Sequence, residues 1–150
     1  MTLTTLTPFA PLSPSLLALL IFAAWTLLLV TGIATLRVAL SLSGQRRPNQ
    51  FLPAGDDVSP FSGRLCRAHA NCFENLPTFV SLVAVAHFSG HGAVTDGLAW
   101  VFIAARIVQS CIHLVSARSK AVMLRFSFMA VQIGIQAYWV LRLASLLLQN

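Results

Sequence analysis

The chain has 150 residues, 57% of them hydrophobic and 9% charged, with a formal net charge of +6 and a mean hydropathy of +0.78. These values exclude a water-soluble globular domain, because a bilayer core takes about 20 apolar residues per helix and four such stretches use roughly 85 residues. They also exclude a β-barrel, whose apolar residues would alternate over segments of about ten.

The first apolar run, residues 16–36, follows Pro14 and Ser15, a pair suited to starting a helix, and is closed by Arg37. No lysine or arginine precedes it, whereas a cleavable signal peptide has a basic head and a shorter apolar stretch, so a retained span is expected. Residues 43–62 break the pattern with Gly44, Pro48, Pro53, Gly55 and Pro60 and with Arg46, Arg47, Asp56 and Asp57, which predicts the one substantial loop. The second helical segment, 63–88, carries Arg64, Arg67, His69, Asn71, Glu74, Asn75 and Pro77 among its apolar residues. Pro77 has no amide hydrogen, so the Phe73 carbonyl loses its helical partner; a kink beside Glu74 is expected, with that carbonyl met by a polar cavity or by a side-chain donor such as Asn75. After a short turn at 89–92 the third segment runs over 94–115, and after a polar break at 116–120 the fourth runs over 121–148.

The reading is therefore an all-α membrane protein: a four-transmembrane-helix bundle in a single domain over 1–150, with spans at about 16–37, 63–88, 94–115 and 121–148. Lysine and arginine flank the 43–62 loop and the 116–120 turn but are missing from the N-terminus, the 89–93 turn and the C-terminal tail. That bias makes the 43–62 loop cytoplasmic and turns both termini away from the cytoplasm. The preference for arginine over lysine and for Ala and Leu points to a bacterial inner membrane. With arginines scattered at span edges and within spans, nucleic acid is not an expected partner. Cys66, Cys72 and Cys111 form no CxxC pair and are read as buried thiols. His87 and His91 lack a third ligand, so no metal is expected.

Polar residues gather on one face of three helices. Arg64, Arg67, Asn71, Glu74, Thr78 and Ser81 recur at steps of three and four, within an arc of about 100°. The same spacing collects Arg106, Gln109, Ser110 and His113 on the third helix and Arg125, Gln132 and Gln136 on the fourth. Charges facing lipid at mid-membrane cost about 2.5–3.5 kcal/mol each, so Glu74, Arg106 and Arg125 must face protein, water or a ligand. Glu74 can pair with an arginine, and its separation from Arg67 leaves room for a guest on the same face. At least four arginines surround this one carboxylate, and the surplus cation calls for an anionic ligand. His69 lies about 160° from Glu74 on a helical wheel and is read as fixing the second helix to a neighbour or to the loop.

The stretch Arg64-Leu-Cys-Arg-Ala-His-Ala-Asn-Cys-Phe-Glu-Asn-Leu-Pro77 resembles the second-helix signature of the MAPEG family, the membrane-associated proteins in eicosanoid and glutathione metabolism. The resemblance extends over about residues 16–148 through the length, the four spans and the arginines of the third and fourth helices. It implies a homotrimer with glutathione, as co-substrate, bound between subunits and open to the cytoplasmic side. It also implies that Arg67, Asn71 and Glu74 contact glutathione, joined by Arg37 and Arg106, and that Arg125, or alternatively Arg118, stabilises the thiolate. His113 stands where some members carry a tyrosine, and Ala70 where some carry an arginine.

The function expected on this basis is a glutathione-dependent transferase or peroxidase acting on lipophilic electrophiles drawn from the bilayer. The alternatives are a non-catalytic member that binds a ligand and a small transporter using Glu74 as a membrane carboxylate, against which the excess of arginine counts.

Overall fold

A computed structural model describes residues 12–149. Four α-helices follow one another: α1 Pro14–Leu42, α2 Pro60–Phe88, α3 Ala93–Val115 and α4 Ser119–Leu147, with one 3-10 turn at Pro48–Gln50 between α1 and α2. α1 and α2 begin before the expected spans because capping residues, rather than the edges of apolar runs, set their starts. Ser13 and Ser59 each precede a proline and accept a backbone N–H in the first turn, from Leu16 at 3.4 Å and from Ser62 at 3.1 Å. The proline that follows has no N–H to leave unsatisfied. At the other end of α2, Gly90 adopts a left-handed conformation (φ 77°) and His91 N–H reaches back to the Ala86 carbonyl at 2.8 Å, closing the helix.

Three of these helices, α1, α3 and α4, are long and apolar enough to cross a membrane by composition alone. The span expected in α2 falls short of that measure because Arg64, Arg67 and Glu74 lie within it. It also departs from the expected kink chemistry. The helix runs unbroken across Pro77, and the Asn75 side chain donates to the Asn71 carbonyl at 2.9 Å, two residues before the Phe73 carbonyl. The reading of three buried thiols holds for Cys66 and Cys72, whereas Cys111 is exposed on α3.

The helices alternate in direction. Ser15 donates from both its amide and its hydroxyl to Asp96 Oδ1, at 3.0 and 2.6 Å, which joins the starts of α1 and α3. Asp96 lies in the first turn of α3, where a carboxylate also faces the positive end of the helix dipole. At the opposite end Arg64 Nε donates to the Leu114 carbonyl at 2.8 Å, joining the start of α2 to the end of α3. Buried between α3 and α4, Gln132 Nε2 donates to Gln109 Oε1 at 3.0 Å.

Each helix contributes one fully buried aromatic ring to a central cluster of Phe22, Phe79, Phe102 and Trp139. Phe79 and Phe102 stack with centroids 4.4 Å apart, Phe22 meets Phe79 edge-on at 5.6 Å, and Trp139 lies within 5.9 Å of both Phe79 and Phe102. Lipid tails are as apolar as these rings, so close packing, rather than exclusion of water, makes the cluster cohesive. Phe79→Ala empties its centre. We expect the variant to lose about 3 kcal/mol, measured by chemical unfolding in detergent, whereas truncating exposed Phe88 leaves stability within about 0.5 kcal/mol.

Candidate functional site

The end of the bundle that holds the 43–59 connection gathers the arginines. α3 stops at Ser116, which is extended, and its last carbonyls have no partner within the helix. Two neighbouring helices supply donors: Arg64 from α2 to Leu114, and Arg125 Nη1 from α4 to the Ser116 carbonyl at 3.3 Å. Cations there also suit the negative end of the α3 dipole. His113, half-buried in the last turn of α3, stands in the electrostatic field of Arg125, Arg67 and Arg106, and Arg125 in that of Arg67. The arginine-bearing ends of the polar faces expected on α2, α3 and α4 therefore converge, whereas Glu74, Thr78 and Ser81 farther along α2 are exposed. Arg118, the alternative to Arg125, is exposed at the start of α4.

Arg106 is the deepest of these groups, with 0% of its surface exposed. Its Nη1 donates to the Asn71 side-chain oxygen and, at 3.3 Å, to the Asn71 carbonyl, while its guanidinium lies 5.5 Å from the centre of the Phe22 ring. Below it, Ser110 Oγ donates to the Arg106 carbonyl at 3.0 Å and lies 3.3 Å from Cys72 Sγ. Nε and Nη2 have no partner among the described residues. The cation is thus held by one amide and one aromatic face, without a carboxylate.

The connection between α1 and α2 is folded around Phe51. Arg37 and Arg46 lie 5.6 and 5.9 Å from its ring centre, and Arg37 Nη2 donates to the Leu52 carbonyl at 2.9 Å. Arg46 forms an ion pair with Asp57. Partial burial pushes the Asp57 carboxyl up, but donors from the Leu52 and Asp57 amides and from Arg46 outweigh that and hold it below the usual 3.8. Its neighbour Asp56 accepts from Arg67 Nη2 at 3.2 Å, an exposed pair that docks the connection on α2. Gly63 makes the approach possible, because a Cβ there would collide with the Asp56 carboxylate. Gly55 (φ 71°) is equally constrained: a Cβ would lie 2.7 Å from Cys66 Sγ.

Arg67 is therefore paired with Asp56 rather than with Glu74. Glu74 is exposed at the middle of α2 and makes no ion pair or side-chain hydrogen bond among the described residues. Beside this face a hollow of about 290 Å³ separates α1 from α2, lined by Val30, Ile33, Arg37, Pro53, Cys66 and His69. His69 stacks on Phe73 at 6.3 Å and turns toward α1 and the connection, as its position opposite Glu74 implied. The chain thus brings together Arg67, Asn71, Arg106, His113 and Arg125, while Arg37 stands across the hollow and Glu74 points outward. Sequence reasoning missed Asp56, Phe51 and Gly63. The adjacent carboxylates in a loop feeding a basic helix were the readable signal for Asp56.

A model described as the MAPEG family matches residues 15–145. No curated protein and no solved structure matches the chain.

Asn71→Ala strips Arg106 of its acceptor, and we expect a loss of about 2–3 kcal/mol in detergent unfolding, whereas Asn71→Asp supplies a counter-charge and keeps the bundle stable. A second expectation concerns pH. The Asp57 value is lowered by folding, so the stability it contributes is complete above 3.8, the unfolded value, and is lost as pH falls through its lower folded value. Amide exchange should show Leu52 protected at pH 6 and released below that window, and Arg46→Ala should release it already at pH 6.

Proposed function

Because the chain belongs to the MAPEG family, we propose that it is an integral membrane enzyme that takes glutathione as co-substrate, a transferase or peroxidase acting on lipophilic electrophiles. The observation that carries this reading is Glu74, a carboxylate exposed at the middle of α2 with exposed Arg67 two turns away. At mid-membrane depth such a group cannot be left to lipid. A neighbouring copy covers it, so the working unit is a homotrimer of four-span protomers with the ligand between subunits. The arginine-rich end faces the cytoplasm, both termini face away from it, and the host membrane is a bacterial inner membrane.

The chemistry of the ligand suits the residues. Glutathione carries two carboxylates and one ammonium, which Arg37, Arg67 and Glu74 match in sign and number. Asn71 and His113 add neutral hydrogen-bonding groups beside them. Arg106, fully buried in the single chain, orients the Asn71 side chain.

Bound glutathione supplies a thiol that attacks an electrophilic carbon or a peroxide oxygen once deprotonated. A thiol of pKa about 8.5 is mostly protonated at neutral pH, and lowering it by two units takes about 2.7 kcal/mol of preferential thiolate stabilisation. Arg125 supplies it: half-buried, at the convergence of α2, α3 and α4, it spends one N–H on Ser116 and has no other side-chain partner among the described residues. The hydrophobic outer faces of the helices deliver the second substrate from the bilayer.

A second reading, a member that binds ligand without turnover, draws support from His113 in place of a tyrosine and from the attachment of Arg125 to Ser116. Calorimetric titration of the detergent-solubilised chain with glutathione, followed by ultraviolet difference spectra, separates the two. For the enzyme we expect saturable binding and a thiolate band. Arg125→Ala should remove the band and slow conjugation of a generic electrophile by about 100-fold, the loss associated with one preorganised donor. Glu74→Gln should weaken binding. Binding with no thiolate band selects the second reading, and no binding overturns both.

A further inference from the structure

At the other end of the bundle, where α3 begins and α4 finishes, the structure holds a second hollow that the glutathione reading does not use. It measures about 540 Å³ and is lined by Ala93, Val94, Gly97, Leu98, Tyr138 and Arg142. Tyr138 and Arg142 are one helical turn apart on α4 and share a face, so a hydroxyl and a guanidinium stand together above an apolar floor. Gly97 forms part of that floor, and a Cβ added there would meet nothing within 4 Å, so the space is open toward the outside of the bundle.

The charge at this site is uncompensated. Arg142 makes no ion pair or side-chain hydrogen bond among the described residues. The nearest acidic position along α3, Asp96, has a carboxylate oxygen already engaged by Ser15 on α1. Arg142 lies about 25 Å along α4 from Arg125, close to the full thickness of a hydrocarbon core of about 30 Å. If Arg125 lies near one headgroup layer, Arg142 lies at the other. Exposed Tyr138 beside it is also what that layer favours.

We propose that this groove binds one anionic phospholipid of the leaflet facing the termini, its phosphate on Arg142 and Tyr138 and one acyl chain along Gly97 and Leu98. An isolated arginine at a span end would be satisfied by any headgroup through its flexible stem. A preformed apolar slot directly below it fixes the position of a chain as well as a phosphate. The site selects an anionic lipid because in a zwitterionic one the choline already neutralises the phosphate. This site stands apart from the glutathione reading and survives its failure.

The test uses the full chain purified in mild detergent and native mass spectrometry after adding phosphatidylglycerol or phosphatidylcholine of identical acyl chains. We expect one phosphatidylglycerol per protomer, retained roughly fivefold better than phosphatidylcholine, the ratio one basic side chain confers near a membrane surface. Arg142→Ala should abolish that preference and Arg142→Lys should restore most of it. Gly97→Leu should lower retention of both lipids; because leucine favours helix over glycine, it tests the slot without weakening α3. Arg47→Ala, a basic residue at the opposite end, should change nothing. Equal retention of the two lipids, an Arg142→Ala protein that still prefers phosphatidylglycerol, or cross-linking of two protomers through Val94→Cys would overturn the proposal.

Discussion

A guanidinium sealed inside an apolar bundle has to be met by acceptors, and the placement of Arg106 governs much of what surrounds it. Asn71 meets it with both a side-chain and a backbone oxygen, so the cation binds α3 to α2. The Phe22 ring covers it from α1, adding the attraction of an aromatic face. Three helices thus meet on one charge. Helix α2, the least apolar of the four, is held between its neighbours by polar contacts of this kind and by the aromatic cluster farther along, rather than by any affinity for lipid.

A second economy operates where α3 ends. A helix that stops at the end of a bundle leaves carbonyls with no partner in its own ladder, and Arg64 and Arg125 satisfy them from two different helices. Arginines that would be conspicuous as isolated charges thereby become fastenings with a donor to spare. The planar fork of the side chain makes this double duty feasible: one N–H can hold a carbonyl while others face elsewhere.

Much of this was legible in the residues, for identifiable reasons. Long apolar blocks gave the helices, though not the Ser-Pro caps that start α1 and α2 a little earlier, and three- and four-residue spacing grouped the polar residues on one face of each, because helical geometry alone decides both. Ion-pair partners were not legible in the same way. Arg67 was expected to share a guest with Glu74 on one face of their helix, but Asp56 reaches it from a connection whose path depends on Gly55 and Gly63 and on the packing of Phe51. Pairing across a loop follows from tertiary geometry that no local period encodes. The exposure of Cys111 has the same origin: the side of α3 that lies against its neighbours is fixed by the bundle as a whole.

The contact between Asp56 and Arg67 has a bearing on affinity. On the function proposed above, a ligand carboxylate that takes the place of Asp56 at Arg67 exchanges one ion pair for another, so the number of ion pairs at that guanidinium is unchanged. Binding strength there is set by the difference between two carboxylates. Such a swap is less sensitive to ionic strength than a first pairing, and it removes one of the contacts that dock the 43–59 connection while those of Arg37 and Arg46 remain.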